Sequence, residues 1–152
     1  DKTKQTVLSL KGYIDAQPKS IQLCHIDAVP DNFLFVTGKD GSEEIKLTDW
    51  EYAGMQDPHL DVAMFIIYAM YDRDSAEKLI DLYFSDGCDK ATRLKIYCYI
   101  AVSGLVWSNW CEFKRHCGVE FGAYAQRQYD YAREYTKIFF KEYREAFGRD
   151  YV

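Results

Sequence analysis

The sequence predicts a mainly α-helical domain interrupted by a small cluster of strands, an α+β arrangement in a single unit spanning residues 1–152. Three observations carry that reading. Apolar residues recur near the helical period at both ends of the chain. Three short apolar runs lie between positions 21 and 47, and turn formers separate the segments where a two-domain chain would have linkers. With 152 residues, 48% of them hydrophobic and 28% charged, the chain is long enough to bury one core.

The elements follow in order. Val7, Leu8, Leu10, Tyr13 and Ile14 fall at helical spacing and Pro18 stops the pattern, which predicts one helix over 3–16. Apolar runs at 21–26, 33–36 and 45–47 predict strands, and "TGKDGS", with Gly38 and Gly41, predicts a hairpin turn between the last two. After "DWEYAGMQDPH" the texture becomes helical over 60–71, 75–84, 90–114 and 120–147, with breaks at Gly87 and at Cys117-Gly118.

Composition excludes several classes. The net charge is −5 and no stretch gathers Lys and Arg, which argues against a nucleic-acid partner and suits a cationic ligand or a metal. The longest apolar run, around 62–70, is short of the ~20 residues of a membrane span. No membrane insertion is expected, no leader is read at the start, and the expected location is cytoplasmic. The five cysteines form no C-x-x-C pair and read as reduced, mostly buried thiols. No glycine-rich phosphate loop is present, because Gly38 and Gly41 sit in the hairpin among acidic neighbours.

Between two apolar runs, "LCHIDAVPDNFLF" holds His25, Asp27, Asp31 and Asn32. Turn chemistry explains Pro30, Asp31 and Asn32 but leaves His25 and Asp27 unexplained. Asp49 and Glu51 leave a later strand, and hairpin geometry brings the two loops close. Magnesium is usually held by one or two carboxylates plus substrate phosphates, so Asn32 and Asp49 suit such a site. Asp27 is then the candidate to accept a proton from a hydroxyl nucleophile. Taken singly, each of these residues is ordinary turn chemistry, and only their joint spacing points to a site.

H-x-D-x-x-x-x-N followed by an Asp at the end of a later strand is the order of parts in the catalytic and metal loops of protein kinases. With "LTDWEYAGMQDPHLDVA" after it, the chain resembles the aminoglycoside phosphotransferase and choline kinase group of kinase-like folds, and most of all the bacterial choline kinases. The resemblance implies the C-terminal lobe of a protein-kinase-like fold. It implies that Asp27 orients or deprotonates the attacking hydroxyl, that Asn32 and Asp49 bind Mg²⁺, that His25 braces the loop, and that Asp61 supports it from the next helix. Asp61 as a simple helix cap is the plainer alternative. Glu51 sits beside the metal ligand with metal, substrate and structural roles all open.

A second constellation lies in "GLVWSNWCEFKRHCGVEFGAYAQRQYDYAREY". Trp107 and Trp110, three apart, project from nearly one helix face. A quaternary ammonium carries charge without N–H groups, so aromatic faces and nearby carboxylates must hold it, at about 2 kcal/mol for each desolvated cation–π contact. Aromatics at this spacing are also ordinary core, and Tyr129, Tyr131 and Tyr135 read as packing positions. The resemblance to choline kinases extends here through W-x-x-W and an "EFGxYAQ"-like segment, and implies that Trp107, Trp110 and Tyr124 contact choline. It departs at Tyr68, where a Glu facing the ammonium is expected in the animal enzymes, so charge compensation falls to Asp27, Asp49 or Glu51. Asp27, Glu51 and Tyr68 are expected to bind the substrate together with the three aromatics.

A kinase of this fold also needs a lobe that covers the nucleotide, with a strand Lys on the phosphates and a Glu that holds it. The roughly twenty residues before the catalytic loop read as one helix and supply neither. The expectation is a C-terminal lobe of a choline kinase, with ATP as co-substrate, choline or a similar small cation as acceptor, and the N-terminal lobe of the same protein as partner. The chain alone is expected to be inactive or nearly so. Ethanolamine, thiamine and aminoglycoside phosphotransferases of the same group, and a non-catalytic choline-binding module, are the alternatives.

Overall fold

The computed structural model describes residues 2–151 and shows the expected α+β architecture. Two short helices, α1 (Lys2–Ser9) and α2 (Lys11–Ala16), stand where the apolar period predicts one. The break is at Leu10, whose N–H bonds the Val7 carbonyl three residues back at 3.1 Å, a tightened turn that leaves the Leu10 side chain fully buried. The apolar pattern runs through such a turn unchanged, so the sequence does not reveal it.

Four strands follow: β1 (Gln22–Cys24), β2 (Phe33–Thr37), β3 (Glu43–Leu47) and β4 (Gly54–Gln56). β2 and β3 form the expected hairpin, antiparallel with Phe33 opposite Leu47 and Phe35 opposite Ile45. β4, inside the stretch read as a connection, pairs antiparallel with β1, Leu23 opposite Met55. One ladder therefore brackets the other in the chain. The residues between β1 and β2 and those between β3 and β4 are forced to cross the same gap, which juxtaposes the two acidic loops.

The helical part comprises α3 (His59–Tyr68), α4 (Arg73–Tyr83), α5 (Lys90–His116) and α6 (Ala123–Phe147). α6 begins at Ala123, later than the expected 120, because Gly122 (φ +53°) turns the chain into it. Asp72 caps α4 by accepting the Ser75 N–H at 2.9 Å, and Asp89 caps α5 by accepting the Thr92 N–H at 2.9 Å. Lys114, Arg115 and His116 lie in the last turn of α5, where cations are favoured. Tyr131, Tyr135 and Phe139 of α6 interlock with Tyr97 and Ile100 of α5 and Ile66 and Ile67 of α3 in one core. Gly104 sets the closest α5–α6 approach: a Cβ there would lie 2.6 Å from the Gln128 carbonyl oxygen and 2.9 Å from the Tyr131 Cβ.

One buried ion pair anchors the strand cluster to the helices. Lys95 Nζ donates to Asp57 Oδ2 at 2.7 Å and to the Pro18 carbonyl at 2.8 Å, and the Tyr99 hydroxyl donates to the same Asp57 oxygen at 3.1 Å. Two charges removed from water hold together only when such further bonds satisfy them. The cysteines are unbridged; Cys24, Cys98 and Cys111 are buried. Among the described residues no helix is long and apolar enough to cross a membrane.

Candidate active site

The loop after β1 is held in a shape it does not prefer. Ile26 has φ +70°, a left-handed conformation that a β-branched side chain rarely adopts. Asp61, in the first turn of α3, stabilises it: its Oδ2 accepts the His25 N–H and its Oδ1 the Ile26 N–H, each at 2.8 Å. Bonds from an amide to a carboxylate are among the stronger kinds. His25 is buried beneath the loop, its Nε2 2.8 Å from the Thr48 carbonyl oxygen and its ring edge-on to Trp50 at 4.7 Å. Its ring is thus used in joining the two loops, and it is not part of the cavity wall described below.

Past Asp27 the chain turns tightly. The Asp27 carbonyl accepts the Val29 N–H at 2.7 Å and the Asn32 side-chain Nδ2–H at 3.0 Å. Asn32 ends a 3-10 turn over Pro30–Asn32, and its own carbonyl accepts the Thr48 N–H at 3.0 Å and the Thr48 hydroxyl at 3.2 Å. These bonds continue the β2–β3 ladder by one rung, which places Asp49 next to the Asn32 end of the first loop. Asp49 is exposed and has φ +63°. Ile26 is the strained one of the two, since Asp adopts this region more readily than a β-branched residue does.

The Asn32 bond also fixes which way the amide faces. Its NH₂ is spent on the Asp27 carbonyl, so its oxygen is the atom left for a cation. Among the described residues no three His, Cys, Asp or Glu side chains cluster closely enough to hold a metal on their own. One carboxylate and one amide oxygen, completed by substrate phosphates, fit magnesium and do not fit a closed protein cage.

Beside the loops lies a cavity of about 470 Å³, with Asp27, Glu51, Tyr68, Trp107, Trp110 and Tyr124 all in its wall. Asn32 and Asp49 lie outside it. The rings form a chain: Tyr68 to Trp107 at 5.6 Å, Trp107 to Trp110 at 5.1 Å, Trp110 to Phe121 at 5.2 Å and Phe121 to Tyr124 at 6.4 Å between centroids. Phe121, Tyr52 and Val29 complete the wall and were not singled out from the sequence. Phe121 stands in "EFGAY" beside Tyr124 and Tyr52 follows Glu51, so proximity to named residues is the one signal that points to them. Tyr131 and Tyr135 are buried core, as their spacing suggests, while Tyr129 is partly buried and bonds Thr3. Lys114 Nζ, which is not in the cavity wall, lies 5.5 Å from the Trp110 ring centre, a cation–π contact within the same helix.

Burial, then the Cys111 and Asp27 side chains, push the Tyr124 phenol up to about 12. Burial, then the adjacent Asp27 carboxylate, push the Tyr68 phenol further in the same direction. Both phenols keep their protons at neutral pH. The wall therefore combines neutral rings with carboxylate charge from Asp27 and Glu51, which suits a small organic cation.

The sequence profile of the choline/ethanolamine kinase family matches residues 1–86, which include both acidic loops and α3. The chain belongs to the choline/ethanolamine kinase family. Within the family, it is 30% identical over 121 residues to Protein LicA of Haemophilus influenzae, a match covering 72% of this chain and 41% of that protein. Among solved structures, the choline kinase LicA from Streptococcus pneumoniae superposes with a TM-score of 0.69 at 27% identity, covering 90% of this chain and 47% of that one. A structure of LicA in complex with AMP gives 0.70 at 27% identity, over 91% and 46%. The chain spans less than half the length of these relatives.

Proposed function

We propose that this chain is the acceptor-binding, C-terminal lobe of a choline kinase, in which the γ-phosphoryl group of ATP passes to the choline hydroxyl to give phosphocholine and ADP. The observation that carries this reading is Asp27 in the wall of a cavity otherwise built mainly from aromatic rings. In choline only two carbons separate the quaternary nitrogen from the hydroxyl. A group that grips the cation and a group that handles the hydroxyl must therefore share one small cavity, and the common lining of Asp27 with the aromatic rings supports that reading.

On this reading each residue of the wall and loops has a role. Trp107, Trp110, Phe121, Tyr124 and Tyr52 enclose the trimethylammonium group, and Glu51 with Asp27 balances its charge. Asp27 accepts a hydrogen bond from the hydroxyl, aligns its oxygen towards the γ-phosphorus and takes its proton as the new P–O bond forms and the bond to the β,γ-bridging oxygen breaks. His25 and Asp61 fix the loop from below. Asn32 and Asp49 would hold Mg²⁺, which would supply charge neutralisation for the transferring phosphoryl group. On this reading the nucleotide is covered by a second lobe of the parent protein, which carries the strand Lys and its Glu, and the isolated chain turns over slowly.

A primary ammonium, as in ethanolamine, needs several hydrogen-bond acceptors at once, whereas this wall is mainly ring faces with carboxylates from Asp27 and Glu51 alone. The full-length parent, assayed with ATP against choline, ethanolamine, thiamine and an aminoglycoside, should show its highest kcat/KM with choline. Preference for another acceptor, or choline binding without phosphoryl transfer, would overturn the proposal.

A further inference from the structure

The cavity wall carries two polar atoms with no role in the roles assigned above. The Tyr68 hydroxyl and the Trp107 indole nitrogen are both sealed from solvent, and neither reaches a hydrogen-bond partner. Six buried side-chain atoms share that condition among the described residues, and these two belong to neighbouring rings in one cavity wall. A buried donor left unpaired is costly, and such groups in a folded protein call for a partner.

With Tyr68 as the middle member, chemistry permits one order of pairing. An indole N–H only donates, a carboxylate only accepts, and a phenol does both. Tyr68 has Trp107 as its ring neighbour at 5.6 Å and shares the cavity wall with Asp27. We infer that Tyr68 is a positioning residue linking the cation cage to the catalytic loop, with Trp107 Nε1–H donating to the Tyr68 oxygen and Tyr68 O–H donating to one Asp27 carboxylate oxygen. Rotation of the hydroxyl and small side-chain shifts close the chain, in the way that active-site hydrogen bonds tighten in the working enzyme. The second Asp27 oxygen stays free for the acceptor hydroxyl. The electrostatics agree in sense: beyond burial, the Asp27 carboxylate favours the protonated phenol and Trp107 acts the opposite way, as a donor to the phenol oxygen must.

This inference rests on Asp27 being the residue that handles the acceptor, and its test separates the two. In the full-length parent, Tyr68→Phe keeps the ring and removes one oxygen. The expected result is a kcat about tenfold lower with choline KM within about twofold, the pattern of an interaction made through another group and not with the ground-state substrate. In a ¹H–¹⁵N spectrum, the Trp107 indole signal, assigned by its absence in Trp107→Phe, should move upfield in Tyr68→Phe as its acceptor is lost. An unchanged kcat, or a raised KM at unchanged kcat, overturns the positioning role. An unmoved indole signal overturns the chain. A wild-type parent inactive towards choline sinks the functional reading instead, and the indole signal still decides whether the chain exists.

Discussion

The Asp61 carboxylate holds Ile26 in a left-handed turn, its Oδ1 accepting the Ile26 N–H at 2.8 Å while Oδ2 accepts that of His25. Strain and its compensation lie 35 residues apart in the sequence and in contact in the fold. Asp61→Ala removes both acceptors at once. Each bond to a charged group contributes about 1.5–3 kcal/mol, so the variant should lose roughly 3 kcal/mol of unfolding free energy in urea. The parent should also lose turnover. A variant with wild-type stability would show that the loop holds its shape without this clamp.

Trp107→Ala takes a wall from the cage, together with the indole N–H inferred to reach Tyr68. Loss of one desolvated cation–π contact, about 2 kcal/mol, predicts a choline KM roughly thirtyfold higher in the parent. ATP KM should stay within about twofold, because no described bond joins Trp107 to Asn32 or Asp49. Equal changes in both constants would mean that the indole supports the whole lobe.

Gly104→Ala tests the helix packing. The added methyl meets the Gln128 carbonyl oxygen at 2.6 Å, a backbone atom that cannot swing aside. Overpacking of this kind costs about 1–3 kcal/mol, so thermal unfolding should fall by several degrees. An unchanged melting temperature would mean that α5 and α6 slide apart without penalty.

Acid stability has two stages. Burial first, then Lys95, lowers the pKa of His59, so the folded protein keeps it neutral where an unfolded His takes up a proton. The unfolded chain then binds more protons, and stability falls as pH drops below about 6.5. For Asp57 burial acts upward, but the bond from Lys95 outweighs it and the net shift is downward. That contribution is present above about pH 4 and is lost below it. Urea midpoints measured from pH 7 to pH 5 should decline in the wild type and flatten in His59→Gln. Identical slopes would assign the decline to other groups.

Much of the site was legible because its chemistry is local in sequence. Asp27 and Asn32 share one loop, Asp49 and Glu51 another, and Trp107 and Trp110 one helix face. What escaped depends on distant partners. β4 is three residues, Gly54-Met55-Gln56, too short for alternation and a strand only because β1 lies beside it. The turn at Leu10 hides because apolar spacing survives it. Phe121 precedes α6, where no period marks it, and joins the wall only because the chain turns at Gly122.

The hairpin offers a handle for watching this protein at work. Its tip, residues 38–42, is closed by the Gly38 N–H on the Ser42 carbonyl and the Gly41 N–H on that of Gly38. The ladder from Phe33 to Thr37 keeps it about 15 Å from the acidic loops. A fluorophore or short tag set between Asp40 and Gly41 would ride on the frame that carries those loops, and report their motion without entering the cage.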